Sequence, residues 1–498
     1  MPFQALAAVA TVLSFAPQGN QVDFKLDHGA AEIVWNSPAT FRFRRSLEDA
    51  LPVVQMGPHD KVSLKVDETP GAVRIRSDVL EVTVQKHGLL VRVRSADGQQ
   101  VMADLSEPRP EGDAIVWERE MPAGARFYGL GPRVDPSFDL RGRKAETDVP
   151  FLLSTTGYGE FHAGAGPFRF DFTGAGRYRV AAPRVDYSIY YGPRPKEIFK
   201  ERHAANAGNT VWQVPAEKPV TWTTLRDSLL RMVQAAMSGM LYPSFDLSTY
   251  FGADAPLLQR ARQVGSLPAK VTRGAVPLSN FRGQLDTFYG PYVPEVEYNG
   301  YPVWHPLPFQ FPDDPECASH VDEFMLGDEM LIAPIYDGTG KRSLYLPQGV
   351  WTNLETNEAM TGRRTIQVST SALPVFARNG TIVPLDSAGG VALHYFPRLG
   401  AEFFILEDDI SDYSAVHAAP SLDAMRLEIE SKKERDYQWV VHHIDKPASV
   451  GFEDLKYPVA TAPNQMTDRT WFYDPVQKNL QVRVHARAKE DCIVVIEF

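Results

Sequence analysis

YPVWHPLPFQFPDDPE (residues 301–316), DEFMLGDEMLIAPIYDGTGKRSLYLPQGVW (322–351) and ALPVFARNGTIVPL (372–385) form the stretch around which the chain is organised. Pro302, Pro306, Pro308 and Pro312 oppose a regular helix and central-strand pairing, so residues 301–315 are expected to be extended chain broken by turns. Residues 330–333 are a short apolar run between Gly327 and Pro334, the pattern of a buried strand. Residues 343–346 alternate and stop at Pro347, Gln348 and Gly349, a turn that hands over to Trp351. Two more strands are expected on either side of Asn379 and Gly380, a strong short hairpin signal. Together these features describe the exit of a barrel followed by a small β-module.

Composition sets the outer bounds. The chain has 498 residues, 44% hydrophobic and 23% charged, which is ordinary for a water-soluble globular protein of several domains. A formal charge of −11 leaves no basic stripe to neutralise phosphates and argues against a nucleic-acid partner. Thirty-nine prolines and thirty-six glycines fit turn-rich sandwiches better than helical bundles. Two cysteines, Cys317 and Cys492, are too few for a disulfide framework or a zinc site and are expected to be ordinary thiols. Residues 5–16 are an apolar run loosely like the core of a signal peptide, but no Lys or Arg precedes it. The run also continues as a strand able to pair with residues 21–26, a reading that favours a cytoplasmic over a periplasmic or secreted location. No other segment approaches the length of a membrane span.

The opening stretch resembles the end of the catalytic barrel and the proximal C-terminal sandwich of glycoside hydrolase family 31, the α-glucosidase and α-xylosidase family. There the text reads roughly RPLFFEFPDDP, FMLGDDLLVAPV, YLPxGxW and LPVFVRxGSIIPL, with Arg usually in the place of His305. RFYGLGPRVDPSFDLRGRKAETDVPFLLSTTGYGEFH (126–162) is similar to the family's N-terminal FYGLGE, LRG and IPFLLSxxGYGxF blocks. VDYSIYYGPRPKEIFKERHA (185–204) resembles its YFIYGPTPKEVLEQY, a strand running into a helix that Pro195 opens. The segment between Gly142 and Pro150 is short, and Asp148 reads as a solvated turn residue.

The resemblance implies a mostly β chain with an α/β remnant. It places a galactose-mutarotase-like β-sandwich over 1–209 and a truncated (β/α)8 barrel over 210–318. A proximal C-terminal β-sandwich follows over 319–387 and a distal one over 388–498. Only about 100 residues separate Trp212 from Pro315, against about 250 for a closed barrel. VWQVPAEKPVTWTTLRDSLLRMVQAAMSGMLYPSFDLSTYFG (211–252) is similar to the late barrel alone. The family's WxDMNE-type nucleophile motif has no counterpart, and Trp-x-Asp occurs nowhere in the chain.

A retaining glycosidase needs two carboxyls about 5–5.5 Å apart, one as nucleophile and one as acid/base. The family's acid/base Asp lies five residues before a Trp, and counting back from Trp222 gives Glu217, in PAEKPVTW rather than GDN. Glu217 is therefore the acid/base candidate, the competing reading being a structural or surface residue. Asp246 stands where the family has the Asp of DIGGF, a sugar-binding position, and Arg260 in LLQRARQ stands for the Arg of RWxQ. The alternative for these two is an ion pair tying strand to helix. Trp222, Trp304 and His305 complete the substrate-binding candidates, because their segments lie near the C-terminal face of the barrel in the resembled fold.

The helix expected over 222–239 has Thr221 or Thr223 as cap, an apolar stripe of Leu225, Leu229, Met232, Val233 and Ala236, and Gly239 as its end. A partial barrel would leave this stripe in need of cover from another domain or a second copy of the chain. Glu407, Asp408 and Asp409 form the densest acidic cluster and are read as a turn, not a metal site. By lineage the function is hydrolysis of non-reducing-end α-linked glycosides without metal or cofactor, impaired or lost for want of the nucleophile. The rival is a non-catalytic carbohydrate-binding or scaffold protein.

Overall fold

The computed structural model describes residues 9–47, 50–51, 61–205, 211–213, 218–267, 284–408 and 411–498. The chain is mostly β, and it divides into two units. The first holds Met1–Thr210 with Gln234–Leu241 and Tyr298–Pro302; the second holds Val211–Val233, Tyr242–Glu297 and Val303–Phe498.

Three antiparallel sheets make up the first unit. An eight-stranded sheet starts at the hairpin Val12–Gln18 and Gln21–Leu26 and ends at Phe127–Gly129. A five-stranded sheet is built on Ala114–Glu120 and Arg177–Ala182, and a five-stranded meander runs from Lys65–Glu68 to Gln100–Ala103. Strict alternation drives the meander: in Leu80–Gln85 the buried residues are Leu80, Val82 and Val84, every second side chain. These side chains join Trp35, Trp117, Phe127, Tyr158 and Tyr187 in one apolar core that all three sheets share. The helix Pro195–Ala205 buries Ile198 and Phe199, and Arg202 lies 4.1 Å from the centre of the Phe151 ring. Gly239 adopts φ +77, and a Cβ there would collide with the Arg202 guanidinium, which explains why glycine follows the helix Trp222–Ala236.

In the second unit Val211–Gln213 pairs in parallel with Tyr242–Ser244, with the helix starting at Trp222 between them in sequence. Among the described residues this two-stranded sheet is the parallel βαβ element of the region. Leu225, Leu229, Met232, Val233 and Ala236 are all buried within the single chain, so their cover needs no second copy.

Residues 304–378 then form a six-stranded sheet and the pair Lys341–Leu346 with Arg364–Ser369, around a core of Met325, Leu331, Leu344, Trp351 and Phe376. Cys317 is buried in that core and Cys492 is half-buried; both are free thiols. Trp304–Pro306 is an edge strand, as a proline requires. Residues 307–310, expected to be extended, instead form one helical turn, in which Pro308 occupies an early position where its missing N–H is tolerated.

The hairpin expected at Asn379 and Gly380 does not form. Val375–Arg378 pairs with Met330–Ile332 and Val350–Asn353, whereas Thr381–Ser387 pairs with Gly390–Phe396. Gly380 supplies the left-handed turn (φ +94), but the flanking strands find better partners elsewhere, so the turn carries the chain from one sheet into the next. Beyond it lie a five-stranded sheet, with one parallel pair between Gly390–Phe396 and Arg435–Val441, and a six-stranded antiparallel sheet.

Candidate functional site

The first turn of the helix Trp222–Ala236 is fixed by a reciprocal cap. Thr224 N–H donates to Thr221 Oγ1 (3.2 Å), and Thr221 N–H donates to Thr224 Oγ1 (2.8 Å). Thr221, not Thr223, is the cap, and it leaves Trp222 half-buried at the helix start.

Against the Trp222 indole lies the turn Asp337-Gly338-Thr339-Gly340. Asp337 Oδ1 accepts from Thr339 N (2.9 Å) and from Thr339 Oγ1 (2.7 Å), which closes the turn. A Cβ on Gly338 would sit 3.6 Å from the indole, so the bare glycine lets the turn lie close to the ring.

The third wall comes from the helix Ala255–Gly265, capped by Asp254 on Leu257 N (2.9 Å). Arg260 on this helix is 6% exposed. Its Nη1 donates to Gln263 Oε1 (2.9 Å), Ser371 O (3.1 Å) and Ala372 O (2.9 Å), and its Nη2 to Thr370 O (2.7 Å). Burial lowers the guanidinium pKa, opposed by the Asp337 carboxylate. Arg260 thus clamps the segment 370–372 through its carbonyls. Together the three walls enclose an open cavity of about 340 Å³, bordered by Trp222, Gln259, Arg260, Asp337, Thr339 and Thr370 among others.

The cavity joins two of the candidates, Trp222 and Arg260. Asp246 lies two residues beyond the end of the strand Tyr242–Ser244, is half-buried, and accepts from Ser248 N (3.0 Å) and Ser248 Oγ (2.6 Å). It caps the turn Leu247–Tyr250, and the alternative reading of an Asp246–Arg260 ion pair fails because Arg260 is bonded to carbonyls and Gln263 instead. Trp304 is fully buried, stacked on Phe324 at 4.1 Å, with Nε1 donating to Leu267 O (3.3 Å). His305 is 1% exposed and lies 3.1 Å from Gln310 Oε1. Both are packing residues here. Glu217 lies outside the described residues.

Sequence reading missed Asp337, Gln259 and Thr370, although the DGTG run was a legible turn signal. The cavity can hydrogen-bond hydroxyls and offers an aromatic edge, and Asp337 is the one carboxylate among the described residues lining it. Asp408 and Glu407 of the acidic cluster pair with Lys433 and Arg435, and among the described residues no group of three His, Cys, Asp or Glu side chains converges for a metal. No described helix is long and apolar enough to cross a membrane.

Residues 300–383 match the model of the glycosyl hydrolase family 31 C-terminal domain. Neutral alpha-glucosidase AB of Mus musculus is 30% identical over 200 residues, 35% of this chain and 21% of that one. An alpha-glucosidase of Saccharolobus solfataricus is 37% identical over 92 residues, 18% of this chain and 13% of that one. Residues 300–383 thus carry the C-terminal domain of glycoside hydrolase family 31. The chain's matches to these two curated relatives span about a fifth of their length or less. The same fold is seen in a GH31 dextranase of Flavobacterium johnsoniae complexed with isomaltotriose, with TM-score 0.81 and 13% identity over 99% of this chain and 100% of that one. A cycloalternan-forming enzyme of Listeria monocytogenes in complex with a pentasaccharide substrate gives TM-score 0.77 and 14% identity over 98% and 77% of the two chains.

The block 322–351 carries a buried acid. Glu329 accepts from Tyr292 Oη and from Asp328 N (3.0 Å), and burial, the largest cause, pushes its carboxyl from 4.5 up to about 8. The folded chain then holds this proton where the unfolded chain has released it. Stability from this group is full below pH 4.5 and is lost as pH rises toward 8. Urea midpoints of the parent are expected to fall across that window relative to Glu329→Gln, whose curve lacks this component.

Proposed function

We propose that this chain is a family 31 member that binds α-linked saccharides without hydrolysing them. In this reading residues 1–209 are the family's N-terminal sandwich, 210–318 a barrel remnant, and 319–387 and 388–498 its two C-terminal sandwiches. One observation carries the proposal. Where the family's catalytic barrel is expected, the described chain has a single βαβ element, and among the described residues the cavity beside it presents one carboxylate where retaining hydrolysis needs two. The absence of any Trp-x-Asp in the sequence supports the same conclusion.

Carbohydrate is the ligand class that suits the cavity. Hydroxyl and amide groups of Gln259, Thr339 and Thr370 pair with sugar hydroxyls, and the edge of the Trp222 indole makes apolar contact with a pyranose ring. The cavity is open, so only part of a sugar is enclosed and binding is weak, roughly millimolar or about 4 kcal/mol. A ligand-observed NMR titration with maltose and isomaltose tests this. Saturable binding that Trp222→Ala weakens about fivefold, roughly 1 kcal/mol of ring contact, is the expected result. Binding that is unchanged in Trp222→Ala would remove the cavity from the account.

A further inference from the structure

Three histidines gather where the six-stranded sheet of residues 304–378 meets the five-stranded sheet that holds Gly390–Phe396 and Arg435–Val441. His394 lies on the strand Gly390–Phe396 and is half-buried; His442 and His443 follow Arg435–Val441, and His442 is 7% exposed. From the first sheet come Thr352 on the strand Val350–Asn353 and Asn357 in the turn after it.

Their hydrogen bonds form a chain with a fixed direction. Asn357 Nδ2 donates to Gln477 O (2.7 Å), and a carbonyl can only accept, so Asn357 Oδ1 accepts from His442 Nδ1 (2.8 Å). In neutral His442 the other nitrogen, Nε2, then accepts, and His394 Nδ1 donates to it (3.0 Å). Phe396 stacks on the His442 ring at 4.3 Å. Thr352 Oγ1 donates to Asn379 Oδ1 (2.8 Å) and accepts from His443 Nε2 (3.1 Å). A proton added at His442 Nε2 sets two N–H donors face to face and breaks the chain.

No negative charge compensates an imidazolium here. Among the described residues the titratable groups acting on His442 are His394 and His443, and both oppose its protonation. The acids and bases on the packed strands are engaged elsewhere: Asp386 accepts from Thr287 N (2.9 Å), Asp436 lies 2.8 Å from His485 Nδ1, and Arg435 pairs with Glu407. Glu355, Glu358 and Lys478 are exposed, with Lys478 3.8 Å from Asp445. Burial lowers His394 from 6.5 to about 4, and burial with the two neighbouring histidines lowers His442 to about 2. Released from the contact, both rings return toward 6.5. The contact is therefore strongest above pH 6.5 and weakens as pH falls toward 4.

We propose that His394 and His442 are an acid-released latch joining the two sheets, closed by neutral imidazoles and opened by proton uptake. The latch stands apart from the saccharide cavity and from the reading built on it.

Hydrogen exchange by mass spectrometry on the whole chain between pH 7.5 and 5, corrected for the intrinsic exchange rate, tests the latch. With its anchor at His442 gone, the turn 353–358 is expected to open more often as pH falls below 6.5. The rise is about tenfold per pH unit for each ring that takes up a proton, and roughly a hundredfold for the pair. The strand Ala424–Ser431 reports unfolding of the whole unit and is expected to keep its protection over the same range. In His394→Gln the dependence is expected to fall to about tenfold per pH unit. If that variant does not fold, Asn357→Ala serves: it removes the acceptor and leaves the histidines, and its turn is expected to exchange as fast at pH 7.5 as the parent's does at pH 5. Exchange of the turn that ignores pH, acceleration shared equally by Ala424–Ser431, an undiminished dependence in His394→Gln, or a protected turn in Asn357→Ala at pH 7.5 overturns the proposal.

Discussion

Arg119→Met is expected to destabilise the protein by about 3–5 kcal/mol, the range found when one partner of a buried ion pair is removed. Arg119 is fully buried in the core of the first unit. Its Nε pairs with Asp104 (2.9 Å), its Nη1 pairs with Glu160, and its guanidinium lies 4.4 Å from the centre of the Tyr187 ring. Glu160 in turn pairs with His162 Nε2 (2.7 Å), and Asp104 accepts from Val91 N (2.9 Å). Methionine fills much of the volume but leaves two buried carboxylates without their cation. Urea unfolding at pH 7 gives the size of the effect. The deficit should shrink toward pH 5, because in the variant both carboxyls take up protons more readily than in the unfolded chain. A loss under 1 kcal/mol, or one independent of pH, would show that the carboxylates have other compensation.

Gly129→Ala, in the FYGLG run, should cost about 2–4 kcal/mol. Gly129 has φ +98, and an added Cβ would lie 2.4 Å from the Phe151 carbonyl oxygen, an atom held by the pairing of Phe127–Gly129 with Phe151–Ser154. Leu130 N–H also donates to that oxygen (2.8 Å), so it cannot withdraw without breaking a bond. Gly98→Ala separates the two contributions. Gly98 has φ +87 with nothing within 4 Å of an added Cβ, so it carries the conformational part alone, about 1 kcal/mol. Comparable losses at the two positions would contradict the collision with the carbonyl.

Much of the fold could be read from local pattern. The strands of the meander announce themselves by alternation, and the helix Trp222–Ala236 by its cap and stripe, because each depends on residues close in sequence. Asn379 and Gly380 show where this fails: the dipeptide specifies a turn, but Val375–Arg378 finds its partners at Met330–Ile332 and Val350–Asn353, dozens of residues earlier, while Thr381–Ser387 pairs with the strand that follows it. The site was half legible. Trp222 and Arg260 were found through the family resemblance, yet nothing in the sequence told that Arg260 would bind the carbonyls of 370–372, more than a hundred residues on. Trp304 and His305 sit in a recognisable block, but burial is a tertiary property, and it makes them core rather than contact surface.

The central claim is binding without hydrolysis, and one measurement meets it directly: release of nitrophenol from α-glucosyl, α-xylosyl and α-galactosyl nitrophenyl glycosides, run beside the maltose and isomaltose titration on the same preparation. The account predicts saturable, roughly millimolar sugar binding and no nitrophenol release above the rate in buffer. Enzymatic release that Glu217→Gln or Asp246→Asn abolishes would contradict it and restore a working carboxylate pair.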